Sequence, residues 1–171
     1  MPDWRFILAE HGPAVWQTIY RLLENDSDAL DCYQETFLAA WRFTRRGQVD
    51  QWGPFLARIA VRRATDRLRQ RLRSRARLRE LGRVPEPISE TEAPHFAAAA
   101  SELLDRVRDE MGRLPAKQAS VFWLSCVEGW SHQEIGEHLR VRPGAVRVLL
   151  HRARAALTRR LLSASSRGES Q

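Results

Sequence analysis

Apolar residues recur every three or four positions along most of this chain, and no stretch alternates for long with the period of two that a strand needs. Val15, Trp16, Ile19, Leu22 and Leu23 share one helical face, and the polar run ENDSD then breaks that helix and supplies caps for the next. A second stripe runs through Leu30, Tyr33, Phe37 and Trp41, with Asp31, Glu35, Leu38 and Arg42 on the opposite, mainly polar side. Gly47, Gly53 and Pro54 punctuate RFTRRGQVDQWGP as a loop, and Pro54 suits the opening of another helix. That helix begins with Phe55, Leu56, Ile59 and Ala60. Its apolar stripe fades after Asp66, which predicts an exposed or frayed distal half rich in arginine.

The pattern changes in GRVPEPISETEAPHF, where three prolines and three glutamates (Glu86, Glu90, Glu92) leave no helical period; this reads as a linker between two modules. Helical spacing resumes at Ser101 with Leu103, Leu104 and Val107 on one face. Pro115 then opens a helix carrying Val121, Phe122, Leu124 and Val127, which Gly129 ends. The expected fold is all-α: a helical module over residues 1–80, a flexible linker over 81–98, a second helical module over 99–162 and a disordered tail over 163–171.

Two short helices close the second module. Ser131 and Glu134 have capping-box spacing, Ile135 and Leu139 face inward, and Gly136 between them permits the close backbone approach of a tight helix crossing. After a bend at Arg140 to Arg142, Pro143 fits the first turn of a new helix with Val146, Leu149, Leu150, Ala153 and Leu157 as its buried stripe. The same winding turns Gly144, Arg147, Val148, His151 and Arg152 outward near the helix N-terminus, the layout of a recognition helix. Arg147 is placed to read guanine, Val148 to meet a thymine methyl group, and Arg142 and Arg152 to hold phosphates. An ordinary helical hairpin with a solvated basic face has the same spacing.

Charge sharpens the choice. The formal net charge is +7 over 171 residues, and Lys117 is the only lysine, so the basic side chains are almost all guanidinium groups suited to phosphates and guanine edges. No metal and no cofactor is expected: the chain has no acidic pair at metal-ligand spacing, and His132 and His138 fall on different helical faces. No Ser or Cys has a local base pattern, so no catalytic residue and no small-molecule substrate are expected. Cys32 and Cys126 stand far apart inside helical segments and read as buried free thiols. The N-terminal stretch lacks the pattern of a secretory leader, and nowhere do eighteen apolar residues run together, so a cytoplasmic protein without membrane insertion is expected.

The stretch LPAKQASVFWLSCVEGWSHQEIGEHLRVRPGAVRVLLHRARAAL closely resembles region four of bacterial RNA polymerase sigma factors of the extracytoplasmic-function (ECF) group. DALDCYQETFLAAWRF resembles region two of the same group, and FLARIAVRRATDRLRQR the helix that follows it. The resemblance covers about His11 to Leu161, interrupted by the linker, with both motifs in the family's order. It departs at Leu30, where an acidic residue is usual, at Phe55 and Arg62, and in the recognition helix at Ala145, Val148 and Leu149.

The resemblance implies a non-catalytic initiation subunit with core RNA polymerase, promoter DNA and an anti-sigma factor as partners. It assigns Asp31, Gln34, Glu35 and Leu38 to the polymerase-docking face. Arg45, Arg46, Gln48, Asp50 and Trp52 fall where such factors capture a flipped base of the melted minus-ten element, with Arg58, Arg62 and Arg63 along the strand. Arg142, Gly144, Ala145, Arg147, Val148, His151 and Arg152 fall where the minus-thirty-five element is read. The alternative is a helix-turn-helix regulator that acts on duplex DNA without joining the polymerase.

Overall fold

The computed structural model describes residues 2–82 and 95–168, and all regular structure among them is helical. The first module consists of α1 (Trp4–Leu23), α2 (Asp26–Thr44) and α3 (Trp52–Glu80). The second consists of α4 (His95–Arg113), α5 (Ala116–Cys126), α6 (His132–Leu139) and α7 (Pro143–Gly168). Glu86, Glu90, Glu92 and most of the 81–98 segment lie outside the described residues; α4 begins within that segment at His95. The last helix continues into the 163–171 stretch expected to be disordered, because Ser163, Ala164, Ser165 and Ser166 include no Pro or Gly to stop it.

Local chemistry sets the helix ends. Asp3 accepts from the N–H groups of Arg5 and Phe6, so α1 starts well before the stripe at Val15. Glu24 turns left-handed and Asn25 caps α2, as the polar run predicts. Ile19, Leu22, Leu56 and Val61 are fully buried between α1 and α3, each stabilising the module by about 1.5–3 kcal/mol relative to exposure.

Three expectations need correction. The buried face of α2 is Ala29, Cys32, Thr36, Phe37 and Ala40, while Leu30 is 49% and Trp41 39% exposed. Small residues at three- and four-residue spacing let α2 sit close to α1 and α3, and the bulkier side chains are displaced outward. Likewise Leu103 and Leu104 are exposed, and α4 packs instead through Met111, with Leu114 buried just past its end. The distal half of α3 is largely exposed from Arg73 to Arg77, as expected, but it is not frayed: the helix runs on to Glu80, Leu68 is buried, and Leu68 and Leu72 flank Gly112 so closely that a Cβ there would lie 2.8 Å from Leu72 Cδ1. Arginines replace the missing apolar stripe. Arg71 donates to Asp28 at 2.6 Å and to the Leu23 carbonyl at 2.9 Å, Arg69 to the Leu114 carbonyl at 2.7 Å, and Arg75 lies 3.1 Å from Asp109.

The Arg71 contacts tie α3 to its own module, whereas those of Arg69, Arg75 and Gly112 join the two modules, together with further polar ones. Glu128 accepts from Thr18 of α1 and from the Trp123 indole, both at 2.9 Å. Arg58 of α3 donates to the His138 carbonyl in α6 at 3.0 Å. Between them lies a cavity of about 400 Å³ bordered by His11, Pro54, Trp130 and His138. Burial first, then the Arg58 charge, pushes the His138 imidazole below its ordinary value, against smaller opposite effects of Glu137 and Glu134. His11 and Glu128 face the same cavity.

Inside the second module the capping box forms in full: Glu134 N donates to Ser131 Oγ at 3.2 Å, and Ser131 N to Glu134 Oε2 at 2.7 Å. Arg140 turns left-handed with φ 53°, reversing the chain toward α7. A Cβ on Gly136 would sit 2.8 Å from the Val141 carbonyl oxygen, so the tight crossing requires glycine. Gly136→Ala is expected to lower unfolding stability by about 1–3 kcal/mol in chemical denaturation, because backbone rather than a flexible side chain must move. The pH dependence of module contact follows from His138. The packed state disfavours its protonation, so separated modules bind the proton more readily once pH falls below about 6.5. Packing is therefore expected to be tightest above that pH and to loosen as pH drops, as read by energy transfer between labels on α2 and α7. His138→Gln is expected to flatten the profile.

Candidate nucleic-acid interface

The outer side of α7 is built by what its inner side buries. Val146, Leu150, Ala153 and Leu157 are buried against the module, and the winding that places them there leaves Arg142, Gly144, Ala145, Arg147, Val148, His151 and Arg152 all exposed. The Arg142 carbonyl accepts from Ala145 and Val146 at 2.8 and 3.2 Å, which fixes the start of the helix. The guanidinium groups of Arg142, Arg147 and Arg152 have no hydrogen bond or ion pair with any described residue. Val148 is 50% exposed beside them, an apolar group on an otherwise cationic face. A Cβ on Gly144 would meet nothing within 4 Å, so packing does not demand glycine there.

The loop after α2 has a different character. Arg46 N and Gly47 N donate to the Phe43 carbonyl, and the Arg45 guanidinium lies 5.5 Å from the Trp41 ring centroid. Arg46, Gln48 and Asp50 are exposed. Trp52 is half-buried: its ring meets Trp4 edge-on at 5.4 Å and Phe55 at 6.2 Å, so an aromatic cluster holds it at the loop's end. Arg58 is occupied by the His138 carbonyl and by the Phe55 ring at 5.5 Å. Burial, followed by the charges of Arg140 and Arg62, lowers its pKa from the usual guanidinium value. Arg62 is exposed and only loosely paired with Asp66 at 3.9 Å, whereas Arg63 lies 3.3 Å from Glu35.

Asp31, Gln34, Glu35 and Leu38 all point outward from α2, with Asp31 held 3.1 Å from Arg67. The sequence pattern missed their apolar company. Leu30, Leu38 and Trp41, with Gln34 between, make an exposed line along the helix, and Phe43 extends exposed aromatic surface to the loop. The signal was available in the small residues Ala29, Cys32, Thr36 and Ala40, whose spacing marks the packed face better than the large side chains do.

Cys32 is buried, and that burial pushes its thiol pKa up. Cys126 corrects the expectation of a second buried thiol: it is exposed, with Arg154 donating to its sulfur at 3.4 Å. Among the described residues no three His, Cys, Asp or Glu side chains are grouped to hold a metal ion, and no helix is long and apolar enough to cross a membrane.

This arrangement matches known proteins module by module. The family described as Sigma-70 region 2 matches residues 7–74, and Sigma-70, region 4 matches residues 104–157. The ECF RNA polymerase sigma factor SigE of Mycolicibacterium smegmatis is 32% identical over 168 residues, covering 97% of this chain; the chain spans 64% of that relative's length. The RNA polymerase sigma factor CarQ of Myxococcus xanthus is 33% identical over 153 residues, 85% of this chain and 82% of the relative. The solved structure of CnrH, in complex with the cytosolic domain of CnrY, superposes with a TM-score of 0.57 at 26% identity, covering 95% of this chain and 90% of CnrH. Region two, region four and the helical frame that carries them all agree, and the chain belongs to the ECF family of RNA polymerase sigma factors.

Proposed function

We infer that the chain serves as a dissociable initiation subunit that binds core RNA polymerase, directs it to promoters and assists DNA melting by binding energy, without catalysis, in the cytoplasm. The carrying observation is the outer side of α7, where the guanidinium groups of Arg142, Arg147 and Arg152 stand exposed without partners among the described residues around Val148. Guanidinium groups spend no binding energy on breaking internal pairs there, so they are available for guanine edges and phosphates. In this reading Arg147 and Val148 contact bases of the minus-thirty-five element. Arg142, His151 and Arg152 hold its backbone, and Gly144 and Ala145 allow close approach.

On the first module, the α2 face with Asp31, Gln34, Glu35 and Leu38 docks on the polymerase, and the exposed Leu30 and Trp41 add apolar area to it. Arg45, Arg46, Gln48 and Asp50 receive the melted minus-ten strand, Trp52 stiffens the loop base, and Arg62 and Arg63 track phosphates. Arg58 joins them only after leaving the His138 carbonyl, so promoter engagement requires the modules to separate. Residues 1–80 and 99–162 act as the two modules and 81–98 as their connection. CnrH was solved in complex with the cytosolic domain of CnrY, and by analogy a protein inhibitor, an anti-sigma factor, is the expected partner of this chain.

The test is co-elution with bacterial core RNA polymerase and initiation from a library of promoter-like DNA; tight duplex binding by the chain alone, without co-elution, would favour the regulator alternative. Glu35→Arg is expected to abolish co-elution while leaving the circular dichroism spectrum unchanged. Arg147→Ala is expected to cost about 1–3 kcal/mol at one base position and to relax preference there, as read by binding to single-base operator variants. Uniform weakening on every sequence would make Arg147 a phosphate contact instead.

A further inference from the structure

A second cleft, of about 440 Å³, opens between α3 and the start of α5, within the size range of small-ligand sites. Arg62 and Arg63 line its α3 wall, and Ala116, Lys117 and Ser120 its α5 wall. Helix α5 begins after Pro115 with no side-chain cap, so the N–H groups of its first turn lack the acceptor such an end usually has. Ser120 supplies an independent observation. It is only 6% exposed, no described group hydrogen-bonds with its hydroxyl, and its oxygen is not sealed from the cleft it borders. A hydroxyl on a side chain so largely buried, with no protein partner and with its oxygen open to the cleft, offers its hydrogen-bonding capacity to whatever occupies that cleft.

The charge balance identifies the partner's sign. The cleft's only lining carboxylate is Asp66, which is held by Arg69 at 2.5 Å and shared with Arg62 at 3.9 Å. Arg63 has an exchangeable, half-exposed pair with Glu35, and Lys117 has no ion-pair partner among the described residues. Donors thus converge from two walls: planar guanidinium forks on one side, an ammonium, a hydroxyl and backbone N–H groups on the other. A carboxylate offers two oxygens in one plane and satisfies one wall. A phosphoryl group offers three oxygens in a tetrahedral spread and more charge, and satisfies both.

We propose that this cleft binds a small phosphorylated anion of the diphosphate type, clamped between Arg62 and Arg63 of region two and Lys117, Ser120 and the α5 N-terminus of region four. The ligand bridges the modules and holds them together. Because Arg62 and Arg63 are also assigned to the melted strand, its occupancy opposes promoter opening; that consequence rests on the sigma-factor reading, while the binding itself does not.

The experiment is calorimetric titration of inorganic pyrophosphate into the full chain at constant ionic strength, for wild type, Lys117→Gln and Ser120→Ala, neither of which lies in the proposed DNA or polymerase contacts. Saturable one-to-one binding, weakened at least tenfold in each variant while both melt at the wild-type temperature without ligand, is the expected result. Ser120→Ala separates a built site from charge screening because it changes no charge. Absence of saturation, or equal binding by all three proteins, overturns the proposal. A parallel titration with a single-stranded oligonucleotide separates the two sources of phosphate: if both variants lose oligonucleotide binding as strongly as pyrophosphate binding, the cleft belongs to the DNA path and the small-anion site is overturned. Neither titration contains polymerase, so failure here leaves the co-elution test unaffected.

Discussion

Arginine side chains placed on the carboxyl ends of helices organise this protein. Three come from α3: Arg71 donates to the Leu23 carbonyl at the end of α1, Arg69 to the Leu114 carbonyl just past α4, and Arg58 to the His138 carbonyl in the last turn of α6. Terminal helix carbonyls have no intrahelical partner and carry the negative end of the helix dipole. A guanidinium group can satisfy such a carbonyl and a carboxylate together, as Arg71 does with Asp28 and Arg69 with Asp66. One long helix thereby anchors helices from both modules, although its outer half has little apolar surface to offer.

This use of arginine divides the positive charge into two populations. Those on α3 are largely consumed by internal carbonyls and carboxylates, and the Arg108 guanidinium similarly reaches Glu24 at 2.5 Å and the Arg21 carbonyl at 3.3 Å. Those on the outer side of α7 have no such partners. A net charge of +7 is therefore no uniform footprint for nucleic acid: the same residue type is structural in one helix and available in another. The difference lies in what faces each helix, since α3 arginines meet the ends of three helices and the first turns of α7 face outward.

The packed arrangement has a functional cost that sets the order of events. In the proposed function the modules part before Arg58 reaches the melted strand, because in the packed chain it is held on the His138 carbonyl. The contacts that must break are partly exposed and polar, such as Thr18 to Glu128 and Arg58 to the His138 carbonyl. Each contributes about 0.5–1.5 kcal/mol, small enough for the polymerase docking proposed for the α2 face to offset.

Much of this was legible in the residues themselves. Helical period, the Asn25 cap, the Ser131–Glu134 box, Pro143 and the close approach at Gly136 are local chemistry, decided within one or two turns, and they placed the helix-turn-helix and its outward arginines correctly. The two motif stretches and their order identified the family for the same reason. What depended on neighbours was misread: Leu30 and Trp41 of α2 and Leu103 and Leu104 of α4 are exposed because smaller residues, or residues further along, make the close contacts. The arginines of α3 carry no local sign of whether a carbonyl, a carboxylate or a DNA phosphate will meet them. Sequence by itself determined the helices, the family and the outward face of α7; only tertiary packing decided which apolar residues are core and which arginines are free, because a side chain's partner is set by the helix that crosses it and not by its own spacing.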